Sequence, residues 1–189
     1  MENIFRNDLK EGNKTILKLV DHFRTPLRQR VVSQAIFQHT YPTFFRKESF
    51  STIALLSLYL AGKVTENVIK LHTFIDVGKV KIPKEKLVEL ECRMVEMLNF
   101  NFDIVPAHFY LFRISKSLNL DITDKLQILD EVHGDSRLNY INYFNGIYEP
   151  LVVALSLIDD SHIKTLECVY SLKIDMGMIN EVRRVLLKK

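Results

Sequence analysis

Cysteine, glycine and proline are scarce in this sequence of 189 residues, which contains two Cys, six Gly and five Pro. Cys92 and Cys168 are far apart in the chain. The sequence therefore contains neither a CxxC zinc motif nor a disulfide framework, and a reducing compartment is expected. Because few glycines and prolines interrupt the helix-forming residues, and few segments alternate apolar with polar side chains, the pattern favours an all-helical protein.

Long apolar runs and an excess of charge of one sign are also missing. No run approaches the about 20 residues that a membrane-spanning helix needs. The first residues, MENIFRNDLKEG, lack the apolar core of a secretion signal. The formal net charge is only +3, and Lys and Arg are scattered along the chain, which gives no support for nucleic-acid binding. We therefore expect a soluble intracellular protein that does not associate with membranes.

The most apolar segment is SFSTIALLSLYLAGK, residues 49–63. From Ile53 to Ala61 its only polar groups are Ser57 and the hydroxyl of Tyr59. A helix here is apolar on nearly every face and has to be surrounded by other helices. It ends with a charge, Lys63, which needs a partner because an isolated buried charge costs several kcal/mol.

Five helices are predicted in the first half of the chain, preceded by a short N-terminal arm or helix over residues 1–12 that ends at Gly12. Their apolar residues recur at helical spacing, and prolines mark several boundaries. Thr25 is the predicted N-cap of the second helix, with Pro26 at its first position. The predicted helices run from Asn13 to Phe23, from Pro26 to Pro42, from Ser49 to Lys63, from Val68 to Gly78 and from Pro83 to Leu98.

Glu91 interrupts the inner stripe of the fifth helix. It follows Leu87 by four residues and precedes Val95 by four, where an apolar side chain is expected. Lys63 and Glu91 are thus two charges at positions where the core is predicted. They should pair with each other or reach polar partners at the rim of the core, and at this point a structural ion pair and a functional contact are both open.

A second set of five helices follows residues 99–105, NFNFDIV, which are predicted to be extended because they precede Pro106. The domain boundary is placed here. The helix that begins at Pro150 copies the central one, because ALSL at 154–157 matches LLSL at 55–58. The other predicted helices run from Ala107 to Leu118, from Ile122 to Tyr140, from Ser161 to Leu172 and from Asp175 to Leu187.

Several of these segments, in this order, resemble a cyclin box. In that family a buried helix ends in Ala-x-Lys-(Val or Phe)-x-Glu, here AGKVTE at 61–66, and a later helix carries a Glu followed by Leu-x-Phe and Pro, here Glu91, Leu98, Phe100 and Pro106. The resemblance implies an all-α fold of two consecutive five-helix cyclin-like repeats, each around a buried central helix. Residues 13–105 would be the first, kinase-binding cyclin box and residues 106–189 a more divergent second repeat.

The resemblance also implies a function. A cyclin binds a cyclin-dependent protein kinase and stabilises the inward position of the kinase's mobile helix. This chain is accordingly expected to be a regulatory subunit and not an enzyme, with no catalytic residue, metal or cofactor. In cyclins the corresponding Lys and Glu hydrogen-bond the kinase backbone beside a shallow apolar groove. By position, the implied kinase-binding residues are Leu60, Lys63, Val64, Glu66, Glu91, Val95, Phe100 and Phe102.

One feature of mitotic cyclins is missing. Cell-cycle cyclins form a substrate-recruiting patch from a Met-Arg-Ala-Ile-Leu motif and a later Trp, whereas this chain has NKTILKLVDHF and no Trp. The sequence is more similar to the transcription-associated cyclins of the C, H, K, L and T kind. This similarity implies a nuclear heterodimer with a kinase, a role in transcription or its control, and further transcription-complex subunits as partners.

Two other functions are open on the sequence. Transcription factors of the TFIIB type bind DNA and protein with two cyclin-like repeats, but they add a zinc ribbon and a strongly basic second repeat. The basic C-terminus here is predicted to be a solvated helix end, comprising Arg183, Arg184, Lys188 and Lys189. A helical metal-dependent hydrolase needs an adjacent His-Asp pair with further ligands, and the six histidines share no ligand spacing.

Overall fold

A computed structural model of the chain describes residues 2–79, 81–134, 137, 141, 143–144 and 147–187. These residues form ten α-helices, and their only β-type pairing is an isolated bridge between Ile141 and Tyr148. The predicted all-α class is confirmed. In the described ranges, no helix is long and apolar enough to cross a membrane.

The chain divides into two compact units, Met1–Ile104 with His133–Ser136 and Val105–Val132 with Arg137–Lys189. The helices of the first half are α1 (Glu2–Phe23), α2 (Leu27–Phe44), α3 (Phe50–Val64), α4 (Leu71–Gly78) and α5 (Lys84–Met97). Those of the second half are α6 (Ala107–Leu118), α7 (Thr123–Gly134), α8 (Pro150–Ser156), α9 (Asp160–Tyr170) and α10 (Met176–Leu186).

Helix α3 is the centre of the first unit, as its apolar sequence predicts. All of its residues from Thr52 to Gly62 are buried except Tyr59, and α3 packs against α1 and α2 and also contacts α4 and α5. Ser49 caps its N-terminus by accepting a hydrogen bond from the backbone N–H of Thr52 at 3.4 Å. Ser57 is buried but donates to the carbonyl of Ile53 at 2.7 Å, so this hydroxyl is satisfied inside the core.

Gly12 lies inside α1, which is continuous from Glu2 to Phe23, so the predicted end of a first segment at Gly12 is wrong. A Cβ atom at Gly12 would lie 2.0 Å from Cζ of Phe37, which is fully buried on α2. The glycine therefore permits a close approach of α1 and α2, and this packing outweighs its low helix propensity. Its function is to make room for a neighbouring ring, not to end a helix.

Helix α2 differs from its prediction at both ends. It begins at Leu27 with Pro26, not Thr25, at the N-cap, and no side chain caps it. It continues through Pro42 to Phe44. Proline removes one helical hydrogen bond, and this loss falls in the last turn, where Pro42 is exposed and the helix is about to end.

Helix α8 is the central helix of the second unit and is shorter than the segment LVVALSLI predicts. It packs against α6 and α10, and Ser156 donates to the carbonyl of Val153 at 2.7 Å, much as Ser57 does in α3. The helix stops at Ser156, and Arg183 of α10 donates to the carbonyls of Ser156 and Ile158, at 2.9 and 2.6 Å. Arg183 is thus a structural clamp, and its prediction as a solvated residue is wrong.

The remaining helices of the second half shift by smaller amounts. Helix α7 ends at Gly134, and the predicted continuation to Tyr140 falls mostly on residues 135–136 and 138–140, outside the described residues. Helix α10 begins one residue after its predicted start because Asp175 is its N-cap. The carboxylate of Asp175 accepts hydrogen bonds from the backbone N–H groups of Gly177 and Met178, at 2.8 and 3.2 Å.

Candidate functional site

Lys63 is positioned by the C-terminal turn of α3. The backbone N–H and the hydroxyl of Thr65 both donate to the carbonyl of Ala61, at 2.9 and 2.8 Å, and Glu66 adopts a left-handed backbone conformation with φ of 60°. These bonds satisfy a carbonyl that the helix end leaves free. As a result the helix stops at a fixed residue, and Lys63 projects from its last turn.

Gly62 lets the chain fold back over the end of α3. The N–H of Asn67 donates to the carbonyl of Gly62 at 2.9 Å, and a Cβ atom at Gly62 would lie 2.8 Å from Nε2 of Gln29. Gln29 is fully buried, accepts from Asn67 at 2.7 Å and donates to the carbonyl of Leu58 at 3.3 Å. This hydrogen-bonded turn holds residues 67–70 outside a helix, so α4 begins at Leu71 and not at Val68 as predicted.

Glu91 is carried by α5, whose buried stripe consists of Leu87, Leu90 and Met94. This stripe turns the adjacent Glu91 to the edge of the core. The Nζ atom of Lys63 lies 2.5 Å from Oε1 of Glu91, although the residues are 28 positions apart. The predicted pairing of Lys63 with Glu91 is therefore present.

The ion pair lies at the surface, and its two members are unequally exposed. The side chain of Lys63 is 42% exposed, whereas that of Glu91 is 14% exposed. The ammonium group also lies 4.6 Å from the ring centroid of Tyr59, one turn earlier on α3. Partial burial lowers the pKa of Lys63, but the hydrogen bond and charge of Glu91, with a smaller contribution from Tyr59, outweigh it and raise the pKa above its ordinary value. Lys63 is accordingly charged at neutral pH.

The other residues implied by position are unequally accessible. Phe100 is 71% exposed and Glu66 is exposed, while Val64, Val95 and Phe102 are half-buried. Leu60 is only 4% exposed. It therefore belongs to the core beneath this surface and offers no free face. Among the described residues, no hydrogen bond, ion pair or ring contact joins Phe100 or Phe102 to Lys63 or Glu91.

Phe100 has an unusual backbone. Both Asn99 and Phe100 have positive φ, 49° and 57°, and the N–H of Phe100 donates to the carbonyl of Val95 at 3.2 Å to close the end of α5. A left-handed conformation is tolerated by Asn but costs of order 1 kcal/mol for a bulky aromatic residue. The fold thus holds a large apolar ring in solvent on a strained backbone.

Sequence reasoning missed three residues that shape this site, namely Tyr59, Gln29 and Asn67. Tyr59 precedes Lys63 by four residues, a spacing that places both on one face of a helix, so the cation–π contact could have been found from the sequence. Gln29 gave no such signal, because its partners are 38 positions away at Asn67 and 29 away at Leu58. Only the folded chain reveals that contact.

The described residues contain no group of three or more His, Cys, Asp or Glu side chains that could hold a metal ion. Both cysteines are free and exposed. The Lys63 region offers the ion pair with Glu91, the ring of Tyr59, the exposed carboxylate of Glu66, and half-buried or exposed apolar side chains at the ends of α3 and α5. These are the components of a binding surface.

The comparisons with known proteins give a likeness in fold. No protein-family model matches the sequence, and no curated protein sequence matches it either. Among solved structures, a chain of the CAK complex of Chaetomium thermophilum, bound to ATP-γ-S, is similar with a TM-score of 0.64 and 14% sequence identity. The match covers 96% of this chain and 62% of the other, so this chain spans under two thirds of its structural neighbour. The chain therefore has an all-helical, cyclin-like fold.

Proposed function

We propose that this chain is a cyclin-type regulatory subunit that binds and activates a cyclin-dependent protein kinase. The observation that carries the proposal is the surface ion pair between Lys63 and Glu91, with an Nζ to Oε1 distance of 2.5 Å, in a cyclin-like fold. The structurally similar chain comes from the CAK complex, a kinase complex, and ATP-γ-S is bound in that complex. Residues 13–105 would be the kinase-binding domain.

The ion pair has unused hydrogen-bonding capacity. An ammonium group has three donors and a carboxylate has two acceptor oxygens, and the contact between Lys63 and Glu91 uses one of each. Lys63 can therefore donate to a backbone carbonyl of a partner, and the second oxygen of Glu91 can accept from a backbone N–H. Such contacts fix the register of a docked helix or loop without depending on its side chains.

The apolar part of the proposed surface comes from the ends of α3 and α5. Phe100 is the exposed anchor, and Val64, Val95 and Phe102 are half-buried. Aromatic residues that a partner removes from water are the usual centres of binding energy in protein interfaces. Burial of Phe100 by a partner would also account for the strained backbone conformation that the free chain maintains at this residue.

In this proposal the chain supplies no chemical step. The kinase catalyses phosphoryl transfer only when its mobile helix is turned inward, and this subunit binds that state more tightly. Shifting the kinase from about 1% to about 99% active requires a difference in binding free energy of about 5.5 kcal/mol. A nuclear complex acting in transcription or its control, with further transcription-complex subunits, belongs to the same proposal.

The test is a charge swap that keeps the ion pair but exchanges the positions of its positive and negative groups. The chain is coexpressed with each cyclin-dependent kinase of its own organism, and phosphorylation of a substrate peptide is measured. Lys63→Ala and Glu91→Ala should each lower activation at least tenfold, because a hydrogen bond to a charged group contributes about 1.5–3 kcal/mol. The double variant Lys63→Glu with Glu91→Lys should keep the melting temperature but not activation.

If the ion pair is purely structural, the expected result of the charge swap differs. The double variant then has both the stability and the kinase activation of the parent. Since a pair this exposed contributes about 1 kcal/mol, each alanine variant should lose no more than about 4 °C in melting temperature. Lys14→Ala is the matched control, because Lys14 pairs with Glu11 at 2.6 Å on the exposed face of α1. If every variant activates the kinase as well as the parent does, the assignment of Lys63 and Glu91 as kinase-binding residues is refuted.

A further inference from the structure

The second unit contains an apolar cleft with a volume of about 440 Å³, within the range of known ligand-binding clefts. It lies between α6, α8, α9, the segment 171–175 and the first turn of α10. Its floor is formed by buried residues of the helices around it, Ile114, Leu155, Leu166 and Ile179. The cleft is thus built on the core of this unit.

The rim of the cleft is apolar and exposed. Leu151, Tyr170, Leu172 and Met178 line it and are 40%, 53%, 52% and 42% exposed. Small-molecule sites enclose most of the surface of their ligand, whereas this cleft leaves four large apolar side chains in solvent. An extended or helical segment of a polypeptide, which fills a groove with one face and leaves the other in water, fits this shape better.

One edge of the cleft is fixed by a hydrogen bond between side chains. The hydroxyl groups of Ser117, near the end of α6, and Tyr170, the last residue of α9, lie 2.6 Å apart. The chain then turns at Ser171, which has a φ of 51°. The opening is therefore shaped before any ligand arrives, which lowers the entropy lost on binding.

The free charge in the cleft is positive. Arg113 and Lys173 line it, and neither belongs to an ion pair within the part of the chain that the structure describes. The guanidinium group of Arg113 lies 5.3 Å from the ring centroid of Phe109, an exposed residue one turn earlier on α6 that does not line the cleft. The one carboxylate in the lining, Asp175, is engaged as the N-cap of α10. Nearby, Glu167 accepts from the backbone N–H of Ile174 at 3.0 Å. Two cations thus stand beside an apolar groove whose local carboxylates already have partners.

We propose that this cleft binds a segment of a partner protein that combines two or three large apolar side chains with an aspartate or glutamate. The apolar side chains fill the groove, and the carboxylate pairs with Arg113 or Lys173. Arg113 is suited to this role because its guanidinium group can bind a carboxylate through two parallel hydrogen bonds. The cleft shares no lining residue with the Lys63 region, and the proposal does not depend on the kinase assignment.

The test uses the full chain and a phage-displayed library of random 12-residue peptides. Enriched peptides should combine large apolar residues with Asp or Glu. Binding of a fluorescein-labelled copy, followed by anisotropy, should weaken about tenfold on Arg113→Glu and on Lys173→Glu and further on the double variant. Arg184→Glu is the control of equal charge change, because Arg184 is exposed on α10 and does not line the cleft.

Three results would overturn the proposal. One is no enrichment of peptides over beads without protein. Another is a set of enriched peptides that lack acidic residues, and the third is equally tight binding of the enriched peptides to the Arg113→Glu Lys173→Glu variant and to the parent. Binding of an apolar dye that no enriched peptide displaces would instead indicate a small-molecule pocket. Melting temperatures of all variants show whether a loss of binding reflects unfolding.

Discussion

A glycine inside a helix is the clearest case of a single residue whose packing decides its identity. Gly12→Ala adds a methyl group where Cζ of Phe37 would be 2.0 Å away, so α1 and α2 must separate or the ring must move. Alanine gains about 1 kcal/mol in helix propensity, but overpacking a close contact typically costs about 1–3 kcal/mol. We expect a net loss of stability, measured as the free energy of unfolding in urea.

The matched control for that substitution is Gly134→Ala. No atom lies within 4 Å of a Cβ built at Gly134, so the added methyl group meets open space and the change in unfolding free energy should be within about 1 kcal/mol. Equal stability of the Gly12→Ala variant and the parent would show that α1 and α2 can separate without penalty.

Two residues show what the sequence can reveal about the site and where it stops. Lys63 and Glu91 were identifiable because each charge occupies a position where the helical pattern requires an apolar side chain. Gln29 was not identifiable, because it lies among buried residues of α2 and its role depends on a turn that starts 33 positions later, at Gly62. A pattern within one helix detects an anomaly but does not detect its distant partner.

At the scale of helices, Arg183 ties the end of the central helix of the second unit to α10. Its guanidinium group donates to the carbonyls of Ser156 and Ile158 and to Oδ1 of Asp160 at 2.8 Å, so α10 holds the junction between α8 and α9. Lysine carries the same charge but lacks the planar fork. Arg183→Lys should therefore lower the unfolding free energy by about 2 kcal/mol and the melting temperature by roughly 4–8 °C.

Arg184→Lys is the control for this prediction. Arg184 is the exposed neighbour of Arg183 on α10, and a surface substitution of this kind changes stability by less than about 0.5 kcal/mol. Thermal unfolding monitored by circular dichroism measures both variants. If the Arg183→Lys variant has the same melting temperature as the Arg184→Lys control, the carbonyl contacts of Arg183 contribute nothing to stability.

The helices that the sequence predicted best are those whose boundaries depend on local residues. Ser49 and Asp175 cap α3 and α10 through their own next turn, and Pro150 stands at the start of α8. The ends predicted worst depend on other helices, as at Gly12, which contacts Phe37 of α2, and at Ser156, which contacts Arg183. Local capping is visible in a sequence, whereas the packing that overrides it is not.

For the molecule as a whole, the all-helical class followed from composition and periodicity, and the cyclin-like fold followed from several short motifs in order. Each motif is weak by itself, because AGKVTE or a Glu before Leu-x-Phe can occur by chance. Their common order over residues 61–106 is what made the prediction specific. The depth of burial at each position, as for Leu60, could not be predicted because it depends on the neighbouring helices.

The overall charge separates the proposed function from DNA binding of the TFIIB kind. The 26 Lys and Arg residues are nearly balanced by 23 Asp and Glu, and Arg183 is engaged in internal contacts, so the chain has little excess positive charge for phosphate groups. We expect no saturable binding of a 20-base-pair duplex at concentrations below about 10 μM in 150 mM salt. Tight binding that weakens steeply as salt is raised from 50 to 200 mM would instead support the DNA-binding alternative.

Because Glu91 already holds Lys63, a protein that binds here covers two charges that are paired before it arrives, and it has to match the remaining donors of the ammonium group and the second oxygen of the carboxylate. Covering charges that are already paired releases little net free energy, so the main contribution of the pair is selectivity: a partner that leaves these remaining groups unmatched removes them from water without replacement and is rejected. The affinity would then come from the apolar residues nearby, and the two charges would determine which partner binds and in which orientation.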